Sequence, residues 1–267
     1  MSYEYTPIPY NSYQECFDTA EEIISDVANA YKIDKTRVRY NDVINYLYSH
    51  FRPFETACFS TQPYSFNSNY SELNRFNGLL GGSLGLSVCC SNIRYEKPSF
   101  VNTVSGLTLF YEGKAVLLLN TSIHNWSRLI FTITHELVHV YKAEGDANYT
   151  QAAALIGSYE ASQTAYPEAL QPLEDKTNVI ASLLCVPSIS LQDEIMTHSF
   201  NELCCKYSVS TAAMHNRLKN YFFYECGWDQ YATSNAVFAF RNNNLSQMKN
   251  VRHKLANGSN VLAALPF

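Results

Sequence analysis

Residues 127–139 of the chain are SRLIFTITHELVH, and they end in the pattern H-E-x-x-H. Residues four apart lie one above the other on a helix, so His135 and His139 can direct their imidazoles at one ion. Imidazole nitrogens bind Zn²⁺ at about 2.0 to 2.1 Å. Glu136 then projects beside the ion, where its carboxylate can take a proton from water. The stretch therefore predicts a metal site with a general base on one helix.

The competing explanation is that two histidines share a helix by chance. The chain has 7 histidines among its 267 residues. A chance match to the pattern somewhere in such a chain is on the order of one per cent, before a helical context is required. The metal site is therefore the preferred interpretation.

The motif lies in a predicted helix over residues 126–142. Steps of three and four residues give this helix an apolar stripe of Trp126, Ile130, Ile133, Leu137 and Val140. Two short β-prone runs precede it, at 107–111 and 115–119, and Gly113 between them predicts a hairpin. The expected fold is α+β, with a small, largely antiparallel sheet packed on the metal-bearing helix and with helical N- and C-terminal parts.

A catalytic zinc site needs a third protein ligand and an open position. In the extended form of the motif a histidine would stand at position 145, but Gly145 is there. The other solution is a downstream glutamate. Glu174 and Asn178 lie one turn apart on a predicted helix over 173–185, so Asn178 could hydrogen-bond a ligand. Four further acids leave the choice of third ligand open at this point: Glu144, Asp146, Glu160 and Glu168.

Composition excludes several classes of protein. Hydrophobic residues make up 46% of the chain and charged residues 16%, so it can bury a full core. A formal net charge of -5 argues against a surface that binds nucleic acid or an anionic membrane as a whole. The chain has no signal-peptide pattern, no run of about 18 apolar residues and no Cys-x-x-Cys spacing. We therefore expect a cytoplasmic protein with reduced thiols and no membrane partner.

Helices are also predicted outside the motif. Amphipathic spacing indicates helices over 12–31 and 41–51, and two short helices over 199–220 that are broken near Val209. Residues 54–77 are rich in Ser, Asn, Tyr and Pro. Such a composition predicts a long irregular connection and not a core element.

Three stretches of the chain occur in the order and approximate spacing of a known family. Residues 105–120 are SGLTLFYEGKAVLLLN, and residues 174–187 are EDKTNVIASLLCVP. Together with the H-E-x-x-H helix, they resemble the ImmA/IrrE family of metallopeptidases. By this comparison Glu174 falls on the family's glutamate ligand, and Asn178 falls on the Asn or Asp that follows it. Val138 replaces the usual glycine, which removes neither a ligand nor the base.

The resemblance implies a zincin-like metallopeptidase with Zn²⁺ on His135, His139 and Glu174. The expected domains are a metallopeptidase domain over 1–199, with its core at 78–190, and a helical segment over 200–267. Family members cut a partner repressor and so derepress genes. The expected function is therefore a zinc endopeptidase that cleaves a repressor-like protein in phage, mobile-element or stress regulation.

Residues 203–218 also resemble the helix-turn-helix outline that often follows this domain. Lys206, Arg217 and Lys219 are few for a surface that contacts phosphates. Structural packing is therefore favoured over DNA binding for this segment. The alternative function is a non-proteolytic regulator that keeps the zinc site and acts on DNA or a repressor through residues 200–267.

Overall fold

A computed structural model of the chain describes residues 7–51, 53, 55–61, 66–83, 85–112, 114–162 and 168–258. These residues form two compact units, one of residues 40–181 and one that joins 7–39 with 182–258. The predicted boundary between residues 199 and 200 differs from this division. Among the helices of the described residues, none combines the length and the apolarity needed to cross a membrane.

The described residues contain twelve α-helices and four strands. In chain order they are α1 (Tyr10–Tyr31), α2 (Tyr40–His50), β1 (Glu55–Ser60), α3 (Phe66–Gly78), β2 (Asn92–Tyr95), α4 (Pro98–Thr103), β3 (Gly106–Tyr111), β4 (Lys114–Asn120), α5 (Trp126–Ala143), α6 (Ala147–Ser162), α7 (Gln171–Cys185), α8 (Ser188–Ile195), α9 (Phe200–Lys206), α10 (Thr211–Asn220), α11 (Gln230–Arg241) and α12 (Leu245–Asn257). The mixed α and β composition is as expected.

The elements around the motif are confirmed to within about two residues, the usual uncertainty of element ends. The predicted helices correspond to α1, α2, α5 and α7, and the predicted hairpin corresponds to β3 and β4. Asn125 caps α5, because its side-chain oxygen accepts a hydrogen bond from the Arg128 backbone N–H. Gly113, the predicted turn residue, lies outside the described residues.

The sheet differs from the prediction. Its strand order is β2-β1-β4-β3, and β1 runs parallel to both of its neighbours. Only β3 and β4 are antiparallel, so the prediction of a largely antiparallel sheet is wrong. The cause is β1 itself, which lies within the stretch 54–77 that was predicted to be irregular. Its residues, ETACFS, are buried except for half-buried Glu55, and they form a central strand. Helix α3 also lies largely within that stretch.

The two faces of the sheet have different roles. On one face, side chains of β1, β3 and β4 pack with α4 in a hydrophobic cluster of Ala57, Phe59, Phe100, Val101, Leu107 and Leu118. Side chains alternate between the faces along a strand, so Thr108 projects from the opposite face, towards α5. The sheet thereby positions the helix that carries the H-E-x-x-H motif.

The second unit is organised around a buried arginine. Arg217 of α10 is 1% exposed and donates hydrogen bonds to Glu225 Oε1 at 2.7 Å, to Ser188 Oγ at 2.6 Å and to the Val186 carbonyl at 2.9 Å. Tyr13 of α1 donates to the same Glu225 oxygen at 2.8 Å. These bonds explain why residues 7–39 belong with the C-terminal helices and not with the sheet.

Candidate metal centre

Three side chains of the first unit converge on one point. The Nε2 atoms of His135 and His139 on α5 are 3.1 Å apart. Glu174, in the first turn of α7, lies with Oε2 at 3.3 Å from His135 Nε2 and with Oε1 at 3.0 Å from His139 Nε2. Across the described ranges, this is the one group of three or more His, Cys, Asp or Glu residues with the geometry to hold a metal ion.

The three residues are close enough together to hold one ion, although each histidine lies nearest a different carboxylate oxygen of Glu174. Ligand atoms at about 2.0 to 2.1 Å from zinc, at tetrahedral angles, lie about 3.3 to 3.4 Å from one another. The separation of 3.1 Å between the two Nε2 atoms is close to this value, and each Nε2 atom has a Glu174 oxygen at 3.0 to 3.3 Å. Two imidazole nitrogens and one carboxylate oxygen also form a donor set typical of catalytic zinc sites, which keep a fourth position open. The residues therefore fit the group that the motif implies.

Glu174 is the acid that the fold brings to the histidines. Burial raises the pKa of this carboxyl, but attraction to His135 and hydrogen bonds with both imidazoles outweigh burial, so its pKa lies well below its usual range. The side chain therefore remains an anion. Three rival acids, Glu144, Asp146 and Glu168, are exposed to solvent. The side chain of Glu160, the fourth rival, lies outside the described residues.

A chain of hydrogen bonds links His139 to Tyr149 and Thr177. Thr177 donates to the Leu173 carbonyl at 3.0 Å, so the Thr177 oxygen accepts from the Tyr149 hydroxyl at 3.3 Å. Burial raises the pKa of Tyr149, which therefore stays protonated and can make this donation. The Tyr149 oxygen then accepts from His139 Nδ1–H at 2.9 Å. In a zinc-bound site the ion would take the place of the contact between His139 Nε2 and Glu174, and a proton on Nδ1 would leave the Nε2 lone pair for the ion.

Glu136 is buried beside the three ligands, at 6% exposed. Its Oε2 atom accepts a hydrogen bond from the Thr108 hydroxyl at 2.7 Å, which orients the carboxylate. This contact requires β3 to approach α5 closely. A Cβ at Gly106 would overlap the Thr132 methyl group and lie 3.2 Å from Glu136 Cγ. Glycine at position 106 therefore permits the approach.

Glu136 and the three ligands share a small cavity. Its volume is about 10 Å³, and its other walls include Leu107 of β3 and Ile156 and Gly157 of α6. A cavity needs a volume of about 10 to 15 Å³ on this scale to accept one water molecule. The site is therefore a narrow chamber that can admit a solvent molecule next to Glu136.

Sequence reasoning missed the residues that support the ligands. Tyr149 and Thr108 lie on elements other than those of their partners, so no local spacing marks them. Asn178 was predicted to hydrogen-bond a ligand, but no such bond from its half-buried side chain is found in the described part of the chain. Thr177, the preceding residue, is instead linked through Tyr149 to His139. On α7, it is therefore Thr177 and not Asn178 that faces α6 and contacts Tyr149.

The cations named for DNA binding are largely engaged within the second unit. Arg217 is buried in the hydrogen bonds described above, so it cannot reach a phosphate in this fold. Lys206 Nζ lies 2.9 Å from Glu194 Oε1. The two short helices predicted over 199–220 are confirmed as α9 and α10. DNA binding by this segment stays a prediction, without Arg217 as a contact.

Comparisons with known proteins do not place the chain in a family. No protein-family model matches it, and no curated protein matches it in sequence. A function for this chain is therefore argued from the residues of the site.

Proposed function

We propose that this chain is a zinc-dependent endopeptidase. One observation carries the proposal: His135, His139 and Glu174 converge at ligand distances while Glu136 lines the same cavity. A bound zinc ion would act as a Lewis acid towards a peptide carbonyl and make water easier to deprotonate. The arrangement thus joins a metal-binding tripod to a general base.

Glu136 moves the proton in the proposed reaction. It takes a proton from water as the water oxygen bonds to the carbonyl carbon, and it gives the proton to the amide nitrogen as the C–N bond breaks. Thr108 holds Oε2 of Glu136 by a hydrogen bond of 2.7 Å, which leaves Oε1 to accept the proton. Tyr149 has a positioning role, because its hydroxyl proton is directed to Thr177.

The proposed substrate is a specific protein partner of the repressor class. This part of the proposal rests on the resemblance of residues 105–120, 127–139 and 174–187 to a family that cleaves repressors. The alternative, a regulator that keeps zinc but does not cleave, predicts a different response to loss of Glu136.

The decisive experiment compares wild type with Glu136→Gln. We expect about one zinc per chain in both proteins, because Glu136 is not a ligand. Partner cleavage should fall by at least about a hundredfold in the variant. Tagged Glu136→Gln would retain the uncleaved partner in pull-downs and so identify it. Glu144→Gln, which changes an exposed acid at the end of α5, is the matched control.

Two results would contradict the proposal. The first is wild-type protein that carries no zinc after expression in zinc-supplemented medium, because His135, His139 and Glu174 would then not form a zinc site. Full biological activity of Glu136→Gln in the cell would favour the non-proteolytic regulator.

A further inference from the structure

Three basic side chains of the second unit lie together where α10 contacts α11. Arg241, the last residue of α11, donates a hydrogen bond from Nη1 to Nδ1 of His215 on α10 at 3.4 Å. Lys219 stands four residues after His215 on α10, so the two side chains lie one above the other. The positive charges of Arg241 and Lys219 both act on His215. The three residues therefore form one basic cluster.

The hydrogen bond to Arg241 defines the form of His215. A guanidinium group only donates hydrogen bonds, so Nδ1 of His215 must accept with its lone pair. Burial and the charges of Arg241 and Lys219 lower the pKa of this imidazole, which is therefore neutral at neutral pH. Its proton then lies on Nε2. His215 thus has a second donor, which the bond to Arg241 does not use.

The charge of Arg241 is not offset by an acid. Among the residues that the structure describes, no carboxylate lies within ion-pair distance of its guanidinium. Its side chain is exposed, and its one hydrogen-bond partner in these ranges is His215. Like charges that are held together repel each other and create a local positive potential. Such a cluster attracts an anion.

The donors of the cluster fit a phosphate group. Arg241 has further N–H groups besides the one bonded to His215, His215 has Nε2–H, and Lys219 has an ammonium group. A phosphate group presents several acceptor oxygens and matches the planar guanidinium with two parallel hydrogen bonds. A carboxylate has only two oxygens for donors on three side chains. Phosphate is therefore the anion that suits this cluster best.

The helices next to the cluster add positive charge and no negative charge. Between Asp229, which caps α11, and the end of α12 the chain has Arg241, Lys249, Arg252 and Lys254 but no Asp or Glu. Lys249 and Lys254 are exposed. A single free phosphate would meet only the cluster, whereas a chain of phosphates also meets these further charges. The surroundings therefore favour the backbone of a nucleic acid as the source of the phosphate.

We propose that His215, Lys219 and Arg241 form a phosphate-binding site for the backbone of a nucleic acid. Of the cations singled out in the sequence only Lys219 belongs to it, because Lys206 pairs with Glu194 and Arg217 is buried. Contacts to backbone phosphates carry no base-sequence information, so this site binds without sequence preference. The proposal goes beyond the proposed function and depends neither on zinc nor on cleavage.

The first test measures binding of the full-length protein to a short labelled DNA duplex by fluorescence anisotropy at several salt concentrations. Each phosphate contact contributes about -0.9 to the slope of log K against log salt concentration. Arg241→Gln should therefore reduce the slope by about 0.9 and weaken binding about eightfold at about 0.1 M salt. Arg37→Gln, which removes one exposed charge from the same unit, is the matched control and should keep the wild-type slope.

The second test removes hydrogen bonds without removing a charge. At about pH 8.5, well above the usual pKa of histidine, His215→Leu deletes the acceptor for Arg241 and the Nε2–H donor. Binding of the duplex should weaken about two- to tenfold at an unchanged salt slope. His124→Leu changes an exposed histidine outside the cluster and should have no effect. Wild-type duplex affinity in both Arg241→Gln and His215→Leu would overturn the proposal.

Inorganic phosphate distinguishes the two sources of the ligand. The imidazole signals of His215 are followed by NMR while phosphate, or chloride at equal ionic strength, is added. Shifts that phosphate causes in wild type but not in Arg241→Gln would support the site and show that a free phosphate also binds. Shifts with the duplex alone would support the nucleic-acid backbone as the ligand. No shift with either would overturn the proposal, and so would shifts with phosphate in a protein that does not bind the duplex.

Zinc content keeps this proposal separate from the proposed function. Arg241 and His215 are not among the residues of the metal centre. Both variants should therefore bind as much zinc as wild type. A loss of duplex binding at unchanged zinc content assigns the effect to the phosphate site.

Discussion

The hydrogen bond between Tyr149 and His139 is predicted to raise the affinity for zinc. Tyr149→Phe removes the oxygen that accepts the His139 Nδ1 proton at 2.9 Å. In the proposed metal-bound state His139 would keep its proton on Nδ1, and the residue is 4% exposed, so in the variant this donor would have no partner at position 149. Without metal, the imidazole can shift its proton to Nε2. The cost therefore falls mainly on the metal-bound state.

The size of the effect follows from the buried donor. An unsatisfied buried donor costs about 1 to 3 kcal/mol. At about 1.4 kcal/mol per factor of ten, zinc binding should weaken about five- to 150-fold. This range agrees with the loss of about 10- to 100-fold that is typical when a partner of a ligating histidine is removed.

The assay is zinc competition against a chromophoric chelator at neutral pH. Tyr111→Phe removes a hydroxyl from a side chain that is 70% exposed, and it should leave the affinity unchanged. Circular dichroism and urea unfolding establish that both variants fold. A folded Tyr149→Phe protein with wild-type zinc affinity would refute the assignment of the His139 proton.

Two further variants test packing at the site and in the second unit. Gly106→Ala places a methyl group against α5 and should lower the free energy of unfolding by about 1 to 3 kcal/mol in urea titrations. Gly78→Ala is the control, because a Cβ at Gly78 would have no atom within 4 Å. Equal stabilities of the two variants would contradict the close approach of β3 to α5. Arg217→Met leaves Glu225 as a buried anion and should cost about 3 to 5 kcal/mol, whereas exposed Arg37→Met should change little. A loss of less than about 1 kcal/mol for Arg217→Met would contradict its central role.

Six of the twelve helices, α1, α2, α5, α7, α9 and α10, were accessible from sequence because their signal is local. The apolar stripe of α5 repeats every three to four residues, and the same periodicity places His135 above His139. The bounds of α1, α2 and α7 follow from the same kind of spacing. His135, His139 and Glu136 could therefore be identified from the sequence before the fold was known.

The remaining features depend on contacts between distant parts of the chain. Strand β1 pairs with β4 across about 60 residues, and its six residues carry too little pattern to reveal a central parallel strand. Glu174 could not be separated from its four rivals by the residues alone, since only the packing of α7 brings it to the histidines. Tyr149, Thr108 and Gly106 act through partners 10 to 30 residues away. Periodicity determines which face of an element a residue occupies, but only the tertiary structure determines what that face meets.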